Sequence, residues 1–321
     1  MPRIRFGVAT PPLTLCAVIF CHCVVPAVRG QQVKQAEFRA DSVARTLSYY
    51  VSLPAGYARS SERYPVLYML HGFSGNFTQW RRFGAADRAK SYPLIVVMPD
   101  GGNSWWINWA ASDAGQTNQW EDFVVRDLIA HVDATYRTVS AREGRAICGL
   151  SMGGYGALVV GLRNPDLFCT IGSQSGALGF ARQAADRLAR GESLRPATPP
   201  STKPDPRVAT AGFSSQAERT PRGDPFVTAE DCAKCDPYQL VLAVRREKLP
   251  HIYLDCGTED TFLPQTREFV DVLLRHDIPF TYSQSAGGHE GDYWRGAVSQ
   301  AVAVQFAVIE RNLEAQARAR K

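Results

Sequence analysis

The chain has no apolar run long enough to span a membrane comfortably. The one candidate, Leu13 to Val25, falls short of the ~20 residues a span needs, and Pro11, Pro12 and Pro26 interrupt or flank it. There is no basic stripe interleaved with aromatics, which argues against a nucleic-acid partner. There is one CxxC, Cys232 to Cys235, and no matching second pair, so a four-ligand zinc site is not expected. No internal repeat is evident. Charge of one sign is also scarce. The formal net charge of +5 shrinks once the ends are set aside, because residues 31–321 carry 33 basic against 31 acidic side chains. Three of those basic residues, Arg318, Arg320 and Lys321, sit at the extreme C-terminus. A near-neutral body excludes a partner recruited by bulk charge.

Between Arg5 and Arg29 the chain carries no charged residue at all. Two early arginines, a short apolar stretch and then small residues predict a secretory signal peptide over 1–30, cleaved after Gly30. The expected product is secreted or periplasmic, with no membrane span of its own. Cys16, Cys21 and Cys23 would leave with the signal, and the five remaining cysteines are an odd number. At least one is then free or intermolecular. Cys148, Cys169 and Cys256 lie in apolar strand-like runs and read as buried thiols. Cys232 and Cys235 read either as a local disulfide or as two free thiols.

With 321 residues and 45% hydrophobic side chains, the chain can build a sizeable core and is not globally disordered. Residues 31–321 read as a single domain. Strand-like runs occur at Arg45–Pro54, Tyr64–Gly72, Tyr92–Gly102, Arg145–Gly149, Leu167–Gly176, His251–Gly257 and Phe280–Ser285. Helical patterns follow at Glu121–Tyr136, Met152–Asn164, Leu263–Asp277 and Tyr293–Leu313. The alternation predicts an α/β fold with a mostly parallel sheet and helices on both faces. An insertion at about 177–236 breaks the rhythm. Its Pro-, Ser- and Thr-rich stretch, 191–216, is expected to form a cap or lid over the strand ends.

The sharpest motif is Gly149-Leu150-Ser151-Met152-Gly153, followed by Gly154. It sits between a short apolar strand and a small-residue helix, the setting in which G-x-S-x-G acts as a nucleophile elbow. A strand-to-helix turn lifts the Ser151 hydroxyl above the sheet, and the glycines keep side chains out of the crossing. Helix-start amides and the helix dipole then favour an oxyanion nearby. A serine nucleophile needs a base. Of six histidines, His22 goes with the signal, His131 and His276 lie in helices, and His251 starts a strand. His71 precedes the nucleophile, while His289 lies on a Gly-Gly loop after the last strand and is the candidate base. The orienting acid belongs in Leu254–Pro264, where Asp255 lies inside the strand and Glu259 and Asp260 lie beyond it. Asp260 is preferred, giving the order Ser151, Asp260, His289.

The segments "YPVLYMLHG", "GLSMGGYGAL", "LDCGTED" and "GGHEGDYW" resemble the esterase group of α/β hydrolases that includes esterase D (S-formylglutathione hydrolase), feruloyl and acetyl-xylan esterases, and antigen 85 mycolyltransferases. The resemblance covers about Arg45 to Trp294 and implies the α/β-hydrolase fold, a serine esterase and no cofactor. It supports Asp260 as the acid and implies oxyanion amides at Met152 and Phe73. The Pro-rich insertion with its CxxC and the export signal depart from the pattern, and the signal counts against a cytosolic formylglutathione role. Trp105, Trp106 and Trp120 read either as a surface that stacks on a sugar or aryl group or as packing that orders a long loop. The expected substrate is a small-molecule or carbohydrate-linked ester. Acyl transfer to a sugar, thioester hydrolysis and a non-catalytic binding module are the alternatives.

Overall fold

The computed structural model describes residues 32–195, 202 and 216–320. The expected signal peptide and the middle of the Pro-rich stretch lie outside the described residues. The strands are β1 (Gln32–Ala40), β2 (Arg45–Leu53), β3 (Val66–Leu70), β4 (Ile95–Pro99), β5 (Ala111–Ser112), β6 (Arg145–Leu150), β7 (Thr170–Gln174), β8 (Gly223–Asp224), β9 (His251–Gly257) and β10 (Phe280–Ser285). Eight of them form one sheet in the order β1-β2-β4-β3-β6-β7-β9-β10. Antiparallel pairing is confined to β1 with β2 and β2 with β4; every other pair in this sheet is parallel.

The central strands are apolar on both faces because both faces are covered. Val66, Tyr68 and Leu70 of β3 point into one core, while Leu67 and Met69 point into the other. In β4, Ile95 and Val97 alternate with Val96 and Met98 in the same way. This is the period-2 consequence of a pleated strand between two layers. The helices in chain order are α1 (Gln79–Arg82), α2 (Ala85–Ala89), α3 (Trp120–Asp122), α4 (Ile129–Thr135), α5 (Met152–Arg163), α6 (Phe180–Ala189), α7 (Gln216–Arg219), α8 (Ala229–Ala233), α9 (Pro237–Ala243), α10 (Leu263–Arg275) and α11 (Gly291–Ala319). Helix α5 packs in the first core and α11 in the second, through Tyr293, Trp294, Val298, Val302 and Ile309.

Three features differ from the sequence reading. The stretch 32–40, which lies before the first strand-like run read from the sequence, is edge strand β1. Its Ala36, Phe38 and Ala40 turn inward while Glu37 and Arg39 are exposed, and Phe38 stacks on His131 with centroids 4.3 Å apart. The helix expected over Glu121–Tyr136 contains a π turn at Phe123–Leu128. That wider turn lets Phe123 and Leu128, five residues apart, face the core together. The insertion also begins with an ordered helix, α6, which packs against α8. Its return limb pairs β8 with β5.

Candidate active site

All the sequence-derived candidates for the chemistry gather at the C-terminal ends of parallel strands, where an open α/β sheet forms its crevice. Ser151 links β6 to α5 with φ 55° and ψ −119°, a backbone conformation that few non-glycine residues adopt. The surrounding glycines make that turn possible. A Cβ on Gly149 would fall 2.2 Å from the Gly153 carbonyl oxygen. One on Gly153 would fall 2.3 Å from the Leu70 carbonyl oxygen, so β3, β6 and α5 can meet only without side chains there. The Ser151 N–H donates to the Gln174 carbonyl at 2.9 Å, and its own carbonyl accepts from the Tyr155 and Ala177 amides.

His289 follows β10 and Asp260 follows β9. The imidazole Nε2 lies 2.9 Å from Ser151 Oγ, and Nδ1 lies 3.0 Å and 3.2 Å from the two Asp260 carboxylate oxygens. The Asp260 side chain is fully buried and also accepts from the Phe262 amide at 2.8 Å. Burial alone would raise its pKa. The hydrogen bonds from His289 and from the Phe262 amide outweigh burial and hold the carboxyl below its ordinary value. An ionised carboxylate can only accept, so Nδ1 carries the proton and Nε2 turns its lone pair toward Oγ. Phe262 and Trp294 meet the imidazole edge-on, at 4.8 Å and 4.9 Å between centroids, and fix its plane. Glu259, the alternative acid, is exposed and accepts from the Gly287 amide and the Thr258 hydroxyl. Asp255 is buried between the hydroxyls of Tyr253 and Tyr293.

His71 is also buried, but its nitrogens are committed. Nε2 accepts from the Gly101 amide at 3.0 Å, which leaves Nδ1 to donate to the Gly72 carbonyl at 2.8 Å. The turn after β3 lies directly against the nucleophile, since a Cβ on Gly72 would sit 3.4 Å from Ser151 Cβ. Within it, the Gly72 amide donates to Gln79 Oε1 and the Ser74 amide to Asn103 Oδ1, both at 2.8 Å. The Phe73 amide between them has no hydrogen-bond acceptor among the described residues. The Met152 amide opens α5, where no intrahelical acceptor exists.

A cavity of about 430 Å³ opens beside this turn, lined by Phe73, Trp105, Trp109 and Phe180 with Asn103, Gln183, Arg187 and Thr220. Of the three tryptophans singled out from the sequence, Trp105 lines this cavity. Trp106 and Trp120 do not. Trp106 is fully buried, its Nε1 donating to the His71 carbonyl, and Trp120 packs on Phe123 in the core. Trp109, from the same aromatic loop, also lines the cavity, whereas Phe180 was not anticipated because nothing in the insertion's sequence marked α6 as pocket wall. Cys232 and Cys235 are free, buried thiols, so the local disulfide reading does not hold here. Among the described residues there is no cluster of three or more metal-ligand side chains, and no helix is long and apolar enough to cross a membrane.

Comparison with known proteins agrees with this architecture. Residues 40–304 match a family model described as "Putative esterase". An acetyl esterase of Caldicellulosiruptor saccharolyticus is 29% identical over 245 residues, 75% of this chain and 83% of that protein. An esterase of Mycobacterium tuberculosis is 36% identical over 149 residues, 45% of this chain, and the matched stretch spans 32% of that longer relative. Among solved structures, S-formylglutathione hydrolase from Staphylococcus aureus superposes with a TM-score of 0.65 at 19% identity, covering 86% of this chain and 99% of that one. That likeness establishes the α/β-hydrolase fold.

Proposed function

The chain belongs to the "Putative esterase" family, and from that premise we propose that it is a serine carboxylic-ester hydrolase working through Ser151, His289 and Asp260. The observation that carries the reading is the position of one imidazole, 2.9 Å from a strained serine hydroxyl and 3.0 Å from a buried carboxylate.

His289 Nε2 takes the Ser151 proton as Oγ attacks the ester carbonyl carbon. The Met152 and Phe73 amides donate to the resulting oxyanion, an interaction worth roughly 100–1,000-fold in rate per donor. Ionised Asp260 stabilises the imidazolium and keeps its plane. The imidazolium then gives its Nε2 proton to the departing alkoxide, leaving the acyl group on Ser151. Water, deprotonated by the same nitrogen, attacks the acyl-enzyme, and the acid departs as Ser151 regains its proton. The cavity beside Phe73 receives one side of a small-molecule or carbohydrate-linked ester. No metal or organic cofactor enters these steps. Residues 1–30 direct export, so the mature chain begins at Gln31.

A fluorophosphonate probe tests the nucleophile. Labelling of the wild type and loss of both labelling and ester hydrolysis in Ser151→Ala are expected. Hydrolysis that survives Ser151→Ala would sink the reading. Intact-mass measurement of exported protein checks the mature start.

A further inference from the structure

Arg219 ends α7, on the return limb of the insertion. Its neighbours Thr220 and Pro221 line the cavity, but Arg219 turns inward and is buried with its side chain fully covered. Its Nη1 and Nη2 donate to the two carboxylate oxygens of Asp100 at 2.9 Å each, and Nη2 also donates to the Gly75 carbonyl. Asp100 follows β4 and is itself fully buried, with its Oδ1 accepting the Gly102 amide at 2.9 Å. The backbones are equally close. The Arg219 carbonyl accepts the Asn103 amide at 2.9 Å, and a Cβ on Gly102 would fall 2.4 Å from that carbonyl oxygen.

Asn103 completes the connection. Its side chain accepts the Ser74 amide at 2.8 Å and donates to Thr220 Oγ1 at 3.0 Å. The turn from Gly72 to Gly75 is thus held at three points: Gln79 on the Gly72 amide, Asn103 on the Ser74 amide and Arg219 on the Gly75 carbonyl. The free amide at its centre is that of Phe73. A buried ion pair is a weak source of stability, since well-packed apolar residues often replace one without loss. What such a pair supplies here is direction: the planar guanidinium fixes two carboxylate oxygens and a carbonyl at once.

We propose that Arg219 is a positioning residue for the oxyanion amide of Phe73, so that the insertion supplies part of the catalytic geometry as well as a wall of the cavity. The proposal rests on Ser151 as nucleophile and the Phe73 amide as an oxyanion donor. Lysine at 219 can pair with Asp100 but cannot also hold both carboxylate oxygens and the Gly75 carbonyl. Asn103→Ala leaves the Arg219–Asp100 pair in place and cuts the side-chain links to Ser74 and Thr220.

The test compares full-chain Arg219→Lys, Arg219→Gln and Asn103→Ala with wild type. Active sites are counted by fluorophosphonate labelling carried to completion. kcat and KM are measured on p-nitrophenyl acetate, and inhibition by a boronic acid, whose tetrahedral Ser151 adduct places an oxygen in the same hole, is measured beside them. The expected result is a fall of about 10–100-fold in kcat per labelled site for Arg219→Gln and Asn103→Ala, with KM within about threefold. Boronate affinity should fall in step, and Arg219→Lys should recover part of both. If the variants lose folded protein or melt earlier yet keep wild-type kcat per labelled site and wild-type boronate affinity, Arg219 is a structural anchor only and the proposal is overturned. Should Arg219→Gln not fold, Arg219→Lys decides by the same criteria. Hydrolysis retained in Ser151→Ala would instead remove the esterase reading beneath the proposal, while a dead Ser151→Ala beside unaffected Arg219 and Asn103 variants overturns the proposal alone.

Discussion

Trp105 and Phe180 lie face to face, with ring centroids 3.5 Å apart and planes 3° from parallel. One comes from the loop after β4 and the other from the first helix of the insertion, and both line the cavity beside Phe73. An aromatic pair of this kind contributes about 0.5–1.5 kcal/mol beyond its buried area. Phe180→Ala is expected to raise KM roughly 3–10-fold for esters with a bulky acyl or alcohol group, with a smaller change for an acetyl ester of a small alcohol. Michaelis–Menten analysis across an ester series checks this. An equal change for all esters would place the substrate elsewhere.

The two neighbouring acids after β9 should separate cleanly. Asp260→Asn leaves no charge to hold the Nδ1 proton, and kcat is expected to fall roughly 10⁴-fold, as when the orienting aspartate of a serine triad is amidated. Glu259 does not touch His289, and a glutamine there can still accept the Gly287 amide. Glu259→Gln should therefore stay within about threefold of wild type. Kinetics on both variants, normalised to labelled sites, decide the assignment.

Two glycines should respond in opposite directions to alanine. At Gly153 the new methyl would lie 2.3 Å from a backbone oxygen of β3, which cannot yield without opening the sheet. Gly153→Ala should not accumulate as a folded, labelled enzyme. Gly296, exposed on α11, has no atom within 4 Å of a built Cβ. Gly296→Ala should gain about 0.5–1 kcal/mol and raise Tm by roughly 1–3 °C. Thermal melts of the two variants are the measurement.

Asp100 and Asp255 are both buried carboxyls, and pH should act on them with opposite sign. Burial pushes both upward. At Asp100 the Arg219 guanidinium reverses the effect and holds the carboxyl well below its ordinary value. Its contribution to stability is complete above the unfolded value of 3.8 and is lost as pH falls toward the folded value. At Asp255 the hydroxyls of Tyr293 and Tyr253 do not offset burial, and the carboxyl stays raised. That group favours the folded state below pH 3.8 and loses this contribution as pH rises through its folded value. Urea unfolding between about pH 2 and 8 should show Asp100→Asn flattening the acid limb. Asp255→Asn should remove a decline in stability that begins above about pH 4.

The thiols offer a further check. Burial pushes Cys232 up to about 11 and Cys235 up to about 12, so neither carries much thiolate near neutrality. Iodoacetamide at pH 8 should leave both unmodified in the native enzyme and alkylate both in urea. Peptide mass spectrometry reads the result. Failure to alkylate in urea without reductant would show that the two are joined.

The cluster of Ser151, His289 and Asp260 was legible because its constraints are local. A serine forced into a positive φ between strand and helix needs glycine at fixed offsets, and those offsets are visible at Gly149 and Gly153. Buried parallel strands need unbroken apolar runs, so β3, β4, β6 and β9 stood out, and the His289 and Asp260 loops followed from chain order. Strand β1 carried a fainter form of the same signal, the alternation of Ala36, Phe38 and Ala40, masked by the polar outer face of an edge strand.

What the amino-acid order determined by itself was the elbow, the run of core strands and the order of the three side chains that cluster at Ser151. Only the tertiary structure decided which tryptophans meet the cavity. Trp106 is buried because Gly101 and Gly156, remote from each other in sequence, together leave the space its ring occupies. It likewise decided that Arg219, one of many arginines and unmarked by any motif, lies buried against Asp100 and the turn beside Ser151. Period and spacing act over a few residues, whereas such a cleft or buried charge pair exists only once distant segments share the same volume.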